Sequence, residues 1–312
     1  MNMDGPLDSS RPSGSEFVAS EVLGSGAVAA WWRSPWIPGG LTLDIDGAEQ
    51  STIFPEDQSR LLYDYLQWMQ AALQLWTVPR IEPGSATFIH LGGGGLSLPR
   101  ALAVADPAGT HIVVDLDPDL IDVVLARVPF PSEKVPVVIA GDVRDALPRA
   151  VEAAGGLADA LVLDIAIEPD SPDRLFDPEF MTEMFDAVRA GGLVLINIGD
   201  DPGLDATRRM AGSLEQAGGS YFVAADSSMF TLAMPGNVVL GARRELRAQR
   251  GSGARKDAGA QRNAGAFDAD ELAALHAAGP RPGTVMSPAE FSELFVRHDR
   301  AGTSNNRRWE DK

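Results

Sequence analysis

Between Thr87 and Ile198 five continuous apolar runs recur at regular intervals: TFIHL (87–91), THIVVD (110–115), VPVVIAG (135–141), ALVLDI (160–165) and LVLINI (193–198). Stretches with helical periodicity follow or separate them, at Leu98–Val104, Pro118–Arg127, Val143–Ala154, Pro178–Ala190 and Leu204–Ala217. A strand that is apolar throughout must be covered on both faces, and parallel neighbours need a long crossover, usually a helix. The pattern predicts an α/β fold with a doubly wound, mostly parallel sheet. Two more apolar stretches, near Tyr221–Ala224 and Val238–Ala242, are placed to add an antiparallel edge.

The flanks read differently. Residues 1–16 are polar and rich in turn formers, as in a disordered tail. Residues 17–80 predict a small N-terminal β-region and a linking helix. AVAAWWR (27–33) is a strand candidate, and LTLDIDGAEQSTI (41–53) reads as two strands about Asp46-Gly47, a strong hairpin pair. From Asp57 to Trp76 the apolar residues Leu61, Leu62, Tyr65, Leu66, Met69, Leu73 and Trp76 keep helical spacing. The α/β unit occupies 81–245. Beyond it, 246–266 reads as a flexible basic loop; the wider run 243–262 carries seven basic residues and two acidic ones, which also suits an anionic contact patch. Short helices are expected at Ala269–Ala277 and Pro288–Arg297, joined by GPRPG (279–283), within a C-terminal segment 267–312.

Charge and composition narrow the chemistry. Lys and Arg total 26 against 44 Asp and Glu, a net charge of −18, which repels polyanions and favours a cationic partner. Nucleic acid is therefore not expected. The absence of cysteine excludes disulfides, thiolate catalysis, iron–sulfur clusters and Cys-ligated zinc. Four scattered histidines without HExxH give no expectation of a metal. No basic-then-apolar leader is present and no run approaches the ~20 apolar residues of a membrane helix, so the expectation is a cytoplasmic protein without membrane contact.

The segment FIHLGGGGLSLPRAL (88–102) carries the strongest chemical signal. A buried strand enters Gly92, Gly93, Gly94 and Gly95, and a helix follows with Pro99 in its first turn. Glycines admit positive φ and close ligand approach, and a helix N-terminus offers N–H donors. This is a nucleotide- or nucleoside-binding arrangement. Asp115 ends the next strand about 20 residues on, where a carboxylate can grip a ribose diol; Asp117 reads as the cap of the helix from Pro118. Asp142 follows the third strand, placed either to reach a base edge or to cap a helix. Asp164 closes the fourth strand, at the edge where open α/β sheets bind ligands. Glu168, Asp170 and Asp173 then form an acidic, proline-punctuated loop suited to an ammonium group. His90 reads as a packed, hydrogen-bonded histidine. Trp31, Trp32 and Trp36 read as cover for the β-region or as a subunit contact. Asn197 either lines the pocket or ends its strand.

Taken together, LDIDGAEQST, LLYDYL, FIHLGGGG, VVDLD, AGDVRD, the acidic segment before RLFDPEF, and AGGLVLINIGD resemble the spermidine synthase family over residues 40–245. They look most like its divergent actinobacterial spermidine-synthase-like branch. The resemblance implies a Rossmann-like fold of the class I methyltransferase type. It also implies a transferase that takes decarboxylated S-adenosylmethionine as donor and a di- or polyamine as acceptor, without a metal, and an oligomer such as a homodimer. Carried over by position, Gly92–Gly94 form the donor loop, with Gly95 completing the run, Asp115 holds the ribose and Asp142 the adenine side. Asp164 meets the acceptor amine, with Glu168 in place of a second carboxylate and Asp170 beside it. Gln50 matches the hairpin glutamine, and Tyr63 the family's tyrosine at a longer spacing.

Two departures from the family pattern bear on the reaction. The family's loop continues Gly-Gly-Gly-Asp-Gly, whereas Gly95 and Leu96 stand here. Its catalytic Asp-x-x-Asp-Pro reads Asp164-Ile165-Ala166-Ile167-Glu168-Pro169. A donor ending in an ammonium wants a nearby carboxylate, while ordinary S-adenosylmethionine carries a carboxylate of its own. An S-adenosylmethionine-dependent small-molecule methyltransferase is thus the alternative, and a nucleoside-binding sensor or scaffold without turnover is a third reading.

Overall fold

The computed structural model describes residues 13–165, 167, 171–231, 234–244 and 266–296. Four antiparallel strands open the chain: β1 (Glu16–Val22), β2 (Val28–Arg33), β3 (Leu41–Ile45) and β4 (Ala48–Ile53), hydrogen-bonded in chain order. The β3–β4 hairpin turns at Asp46 and Gly47, both at positive φ, 51° and 86°, as a primed two-residue turn requires. β1 was not expected, because EFVASEV alternates too weakly to stand out from the polar tail before it.

Helix α1 (Asp64–Trp76) begins seven residues later than its apolar periodicity suggests. Turns precede it, with the Arg60 N–H bonded to the Asp57 carbonyl and the Asp57 carboxylate accepting from the Ser59 N–H and hydroxyl. Leu61 is nevertheless buried, so the pattern marks burial correctly but not helix.

An eight-stranded sheet forms the body. Its strands are β5 (Thr87–Leu91), β6 (Thr110–Asp115), β7 (Val137–Ala140), β8 (Ala158–Leu163), β9 (Val188–Asp200), β10 (Gly219–Asp226), β11 (Gly236–Arg244) and β12 (Gly283–Met286). They lie in the order β12-β10-β11-β9-β8-β5-β6-β7. The five expected strands, β5 to β9, are mutually parallel; β11 joins β9 antiparallel, and β10 pairs antiparallel with both β11 and β12. The antiparallel addition is therefore real, but β11 is inserted inside it, and the edge is β12, which grows out of the run expected to be a rigid linker.

Helices α2 (Ser97–Ala105), α3 (Pro118–Arg127), α4 (Leu147–Ala153), α5 (Pro178–Asp186), α6 (Asp205–Gln216) and α7 (Ala269–Ala278), with α8 over 288–296, complete the layers. α5 stops short of its expected end because β9 starts at Val188 and runs through Gly191 and Gly192. α4 starts late because residues 142–146 form a capped turn. On one sheet face α4, α5 and α6 bury Leu147, Phe180, Met184 and Met210; on the other, α1 and α2 bury Met69, Leu73, Trp76 and Leu102 against Phe88 and Phe222. The N-terminal sheet packs Trp31, Leu43 and Ile53 on Val113, Ile121 and Val124. Of the three tryptophans read together, Trp31 is core, Trp32 stands edge-on to Phe17, and Trp36 is 75% exposed.

The basic run divides. Arg243 is buried, paired with Glu271 at 2.9 Å and seated over Trp76 and Phe267, and Arg244 pairs with Asp186. These two cations hold the end of β11 to its neighbours. The expectation for 245–262 lies outside the described residues, as does the one for 1–12.

Candidate functional site

A cavity of about 600 Å³ opens where the carboxyl ends of β5, β6 and β8 meet the β3–β4 hairpin and the first turn of α1. The glycine loop forms its floor. Gly92 has φ +103°, and a Cβ there would lie 2.2 Å from the Asp164 carbonyl oxygen. Gly93 donates its N–H to Asp115 Oδ2 at 2.8 Å, and a Cβ on it would strike Ile121 at 2.4 Å. Side chains are therefore excluded at both positions, and the backbone itself faces the cavity. Leu96, buried at φ 58°, is the N-cap residue of α2, a conformation uncommon outside glycine. No side chain caps that helix, whose first-turn residues Ser97, Leu98 and Pro99 line the cavity.

Asp115 lies on the rim of the floor. Its Oδ2 accepts from Gly93 and its Oδ1 accepts from the Asp117 N–H at 2.9 Å. Asp117 caps α3, as expected, and also accepts from the Ser25 hydroxyl.

Asp164 is half-buried, as Asp115 is, but side chains and not backbone N–H groups hold its carboxylate. Asn197 Nδ2 donates to its Oδ1 at 3.0 Å, and the Tyr65 hydroxyl donates to its Oδ2 at 3.4 Å. Burial pushes its pKa up to about 6, against the opposing pull of these two bonds. The Asn197 Oδ1 is buried with no hydrogen-bond partner among the described residues. Asn197 therefore lines the pocket, one of the two uses the sequence allowed.

The hairpin supplies the opposite wall through a β-bulge. Ser51 pairs with Leu43 and Glu49 with Asp44, so Gln50 is an extra residue on β4. Strict alternation would turn every second side chain away; the bulge lets Glu49, Gln50 and Ser51 all line the cavity. Ser51 bonds Ser97 at 2.7 Å, and a Cβ on Gly95 would meet Ser51 at 2.7 Å. Tyr63, the N-cap residue of α1, donates to Glu49 Oε1 at 2.5 Å. Its ring stacks on Tyr65 with centroids 6.0 Å apart. Burial raises the pKa of both phenols, so each remains a hydroxyl donor.

Of the residues singled out from the sequence, Gln50, Tyr63, Gly92, Gly93, Gly94, Gly95, Asp115 and Asp164 come together here. Asp142 does not line the cavity. It accepts from the backbone N–H groups of Arg144 and Asp145 and pairs with Arg174; it thus closes the turn before α4 and does not cap that helix, whose N-cap residue is Ala146. Asp173 pairs with Arg209. Glu168 and Asp170 lie outside the described residues. His90 lines the floor but is packed as expected, its Nε2 3.1 Å from His111 Nδ1. Burial lowers the pKa of both, that of His111 to about 4.

Three contributors escaped the sequence reading. Tyr65 was counted only as an apolar position of a helix, although it neighbours Tyr63 in LLYDYL. Glu49 adjoins Gln50 but carried no motif. Arg100, from the LPR end of the glycine segment, is completely buried. It donates to the carbonyls of Val128 and Pro129 and to Gln58 Oε1 at 2.6–2.9 Å, tying α2 to the loop after α3 and to the segment before α1. Its pKa is pushed down to about 10 by that burial.

The cavity's charge is one-sided: Glu49, Asp115 and Asp164 line it, and no Lys or Arg does among the described residues. Among those residues no cluster of three or more His, Asp or Glu is placed to hold a metal ion, and no helix is long and apolar enough to cross a membrane.

No protein-family model matches the sequence, and no curated protein does. Solved structures match the fold. A probable spermidine synthase from Corynebacterium glutamicum superposes with a TM-score of 0.68 at 18% identity, over 88% of this chain and 91% of that one. The spermidine synthase of Thermotoga maritima is more remote, at 14% identity, 73% and 72% coverage and a TM-score of 0.49. So is human methyltransferase-like protein 13 in complex with SAH, at 18%, 70% and 90%, and 0.49. The chain shares the fold of the first of these: a mostly parallel central sheet beside a small antiparallel N-terminal sheet.

Proposed function

We propose that this chain is a transferase that moves an aminopropyl group from decarboxylated S-adenosylmethionine to a nitrogen of a di- or polyamine. The observation that carries the reading is the lining of the cavity: among the described residues three carboxylates, no Lys or Arg, and one of the carboxyls, Asp164, with its pKa raised by burial to about 6. Such a site attracts a cation and can also take a proton from it. The glycine loop, the open N-terminus of α2 and Asp115 suit a nucleoside at the other end.

A sulfonium donor supplies an electrophilic carbon and a leaving group that departs as a neutral thioether, so no general acid is required. The chain's own residues have three tasks. The glycine loop and Asp115 hold and orient the nucleoside. The hairpin and the two tyrosines close the cavity over the acceptor and exclude water. Asp164 Oδ2, on the side bonded to Tyr65, accepts the proton of the attacking amine, while Asn197 holds Oδ1 and fixes the carboxyl plane. Glu168 and Asp170 keep the sequence-based assignment to the acceptor side.

One observation favours a second reading. With Ser51 packed against Gly95, no acidic side chain fits at that point of the loop, and two hydroxyls, Ser51 and Ser97, stand there instead. Hydroxyl and N–H donors suit the carboxylate of S-adenosylmethionine, which supports methyl transfer to an amine. Mass spectrometry of products after incubation with each donor and a panel of amines decides. An aminopropylated amine supports the first reading, and a methylated amine formed only from S-adenosylmethionine selects the second. Donor binding without product from any amine overturns both in favour of a nucleoside-binding protein.

A further inference from the structure

We infer that Glu49, positioned by Tyr63, binds a second positive charge on the acceptor, so that the site grips a diamine at both ends and discriminates against a monoamine of equal length. The inference rests on the transferase reading above for the identity of the other end, where Asp164 meets the reacting nitrogen.

The geometry that points to it is a repeated unit. Two tyrosines from the start of α1 stack with centroids 6.0 Å apart, and each donates its hydroxyl to a different carboxylate lining the same cavity, Tyr63 to Glu49 and Tyr65 to Asp164. The two carboxylates thus stand at the ends of one aromatic pair. Between them the ring faces offer apolar surface for a methylene chain and electron-rich faces for a cation.

The two ends differ in a way that suits a diamine with distinct nitrogens. Asp164 is half-buried at the strand end with a raised pKa, and Asn197 and Tyr65 hold its two oxygens, which fits it to take a proton from the nitrogen that attacks. Glu49 is exposed at the mouth, with one oxygen held by Tyr63. Its other oxygen can accept from an ammonium, which brings three donors and no acceptor. The remaining lining carboxylate, Asp115, spends both oxygens on backbone N–H groups of Gly93 and Asp117. The loop position where a carboxylate would otherwise stand is Gly95, closed off by Ser51. Among the described residues lining the cavity, Glu49 is therefore the carboxylate left for the second charge. It reaches the cavity only because the bulge at Gln50 re-aims this stretch of β4.

The test is calorimetric binding of a series of α,ω-diaminoalkanes and the n-alkylamines of matching length to the full chain, with 5′-methylthioadenosine present at saturation. The readout is the diamine-to-monoamine affinity ratio within each variant, which a partial loss of folded protein does not alter. Wild type is expected to prefer one diamine length over its monoamine by about tenfold, the scale of one charge-assisted hydrogen bond at a partly wet site. Glu49→Gln should collapse that ratio towards one, Glu49→Asp should restore part of it, and Tyr63→Phe should lower it less than Glu49→Gln does. Equal binding of diamine and monoamine by wild type, or an unchanged ratio in Glu49→Gln, overturns the inference. The expected ratios alongside no product with either donor would sink the transferase reading while leaving this recognition site standing.

Discussion

Two aspartates flank the glycine loop, one at each neighbouring strand end, and the protein treats them in opposite ways. Asp115, after β6, keeps contact with water and accepts from two backbone N–H groups, Gly93 at 2.8 Å and Asp117 at 2.9 Å. Asp164, after β8, is half-buried to a similar degree but is held by one side-chain amide and one phenol, and desolvation raises its pKa to about 6. Residue type and position on the sheet edge are the same. Under the proposed function, donor chemistry and desolvation suit one to hold hydroxyl groups and the other to accept a proton. In that proposal the cavity is polarised along the sheet edge, with the nucleoside at the β6 end and the reaction at the β8 end.

The largest effect should come from the reactive end. Asp164→Asn is expected to lower kcat by at least about 100-fold, the usual scale of general-base help. An unchanged rate would remove Asp164 from proton transfer and erase the contrast with Asp115. pH probes the same residue without a mutation. Above about 6 the carboxylate is ready to accept a proton and below it the group is already protonated, so kcat/KM should fall on the acid side through about pH 6. Asp164→Asn should lack that limb.

Stability should move the other way. A carboxyl with a raised folded-state pKa binds its proton more tightly when folded. Its contribution is fully present below the unfolded pKa of ~3.9 and is lost as pH rises to about 6, by roughly 3 kcal/mol. Tm across that window should fall with rising pH in wild type by more than in Asp164→Asn. At the nucleoside end, Asp115→Ala should raise the Kd for 5′-methylthioadenosine by about tenfold or somewhat more, read by calorimetry. A loss confined to kcat would contradict the division of labour. The smallest change is expected from Tyr65→Phe. Removing a bond that lowers the pKa of Asp164 should shift the acid limb slightly upward and reduce kcat by about threefold.

Much of this polarity was visible before any coordinates. The glycine run, Asp115 and Asp164 lie at strand ends that their own neighbours announce, through unbroken apolar strands and helical periodicity. Gln50 and Tyr63, singled out by resemblance, both line the cavity. Asp142 shows the limit of that route. It sits where a resemblance sends it, yet its oxygens are taken by the turn at 142–145 and by Arg174. Tyr65 was hidden for the opposite reason: an aromatic at helical spacing reads as core, and only the entry angle of α1 turns its hydroxyl to Asp164. Glu49 needed the bulge, and a bulge is a property of two paired strands that neither strand spells out alone.

Local order in the chain was enough to define the α/β class, the parallel strands, the hairpin turn at Asp46-Gly47 and the glycine loop, because each depends on residues within one strand, turn or helix of its neighbours. Which strand sits between which, the edge at β12, the anchoring of Arg100, and the ionisation of Asp164 depend on groups brought together from distant parts of the chain. Burial, desolvation and hydrogen-bond partners are sums over space, and they exist only once the sheet, the hairpin and α1 have closed around the same cavity.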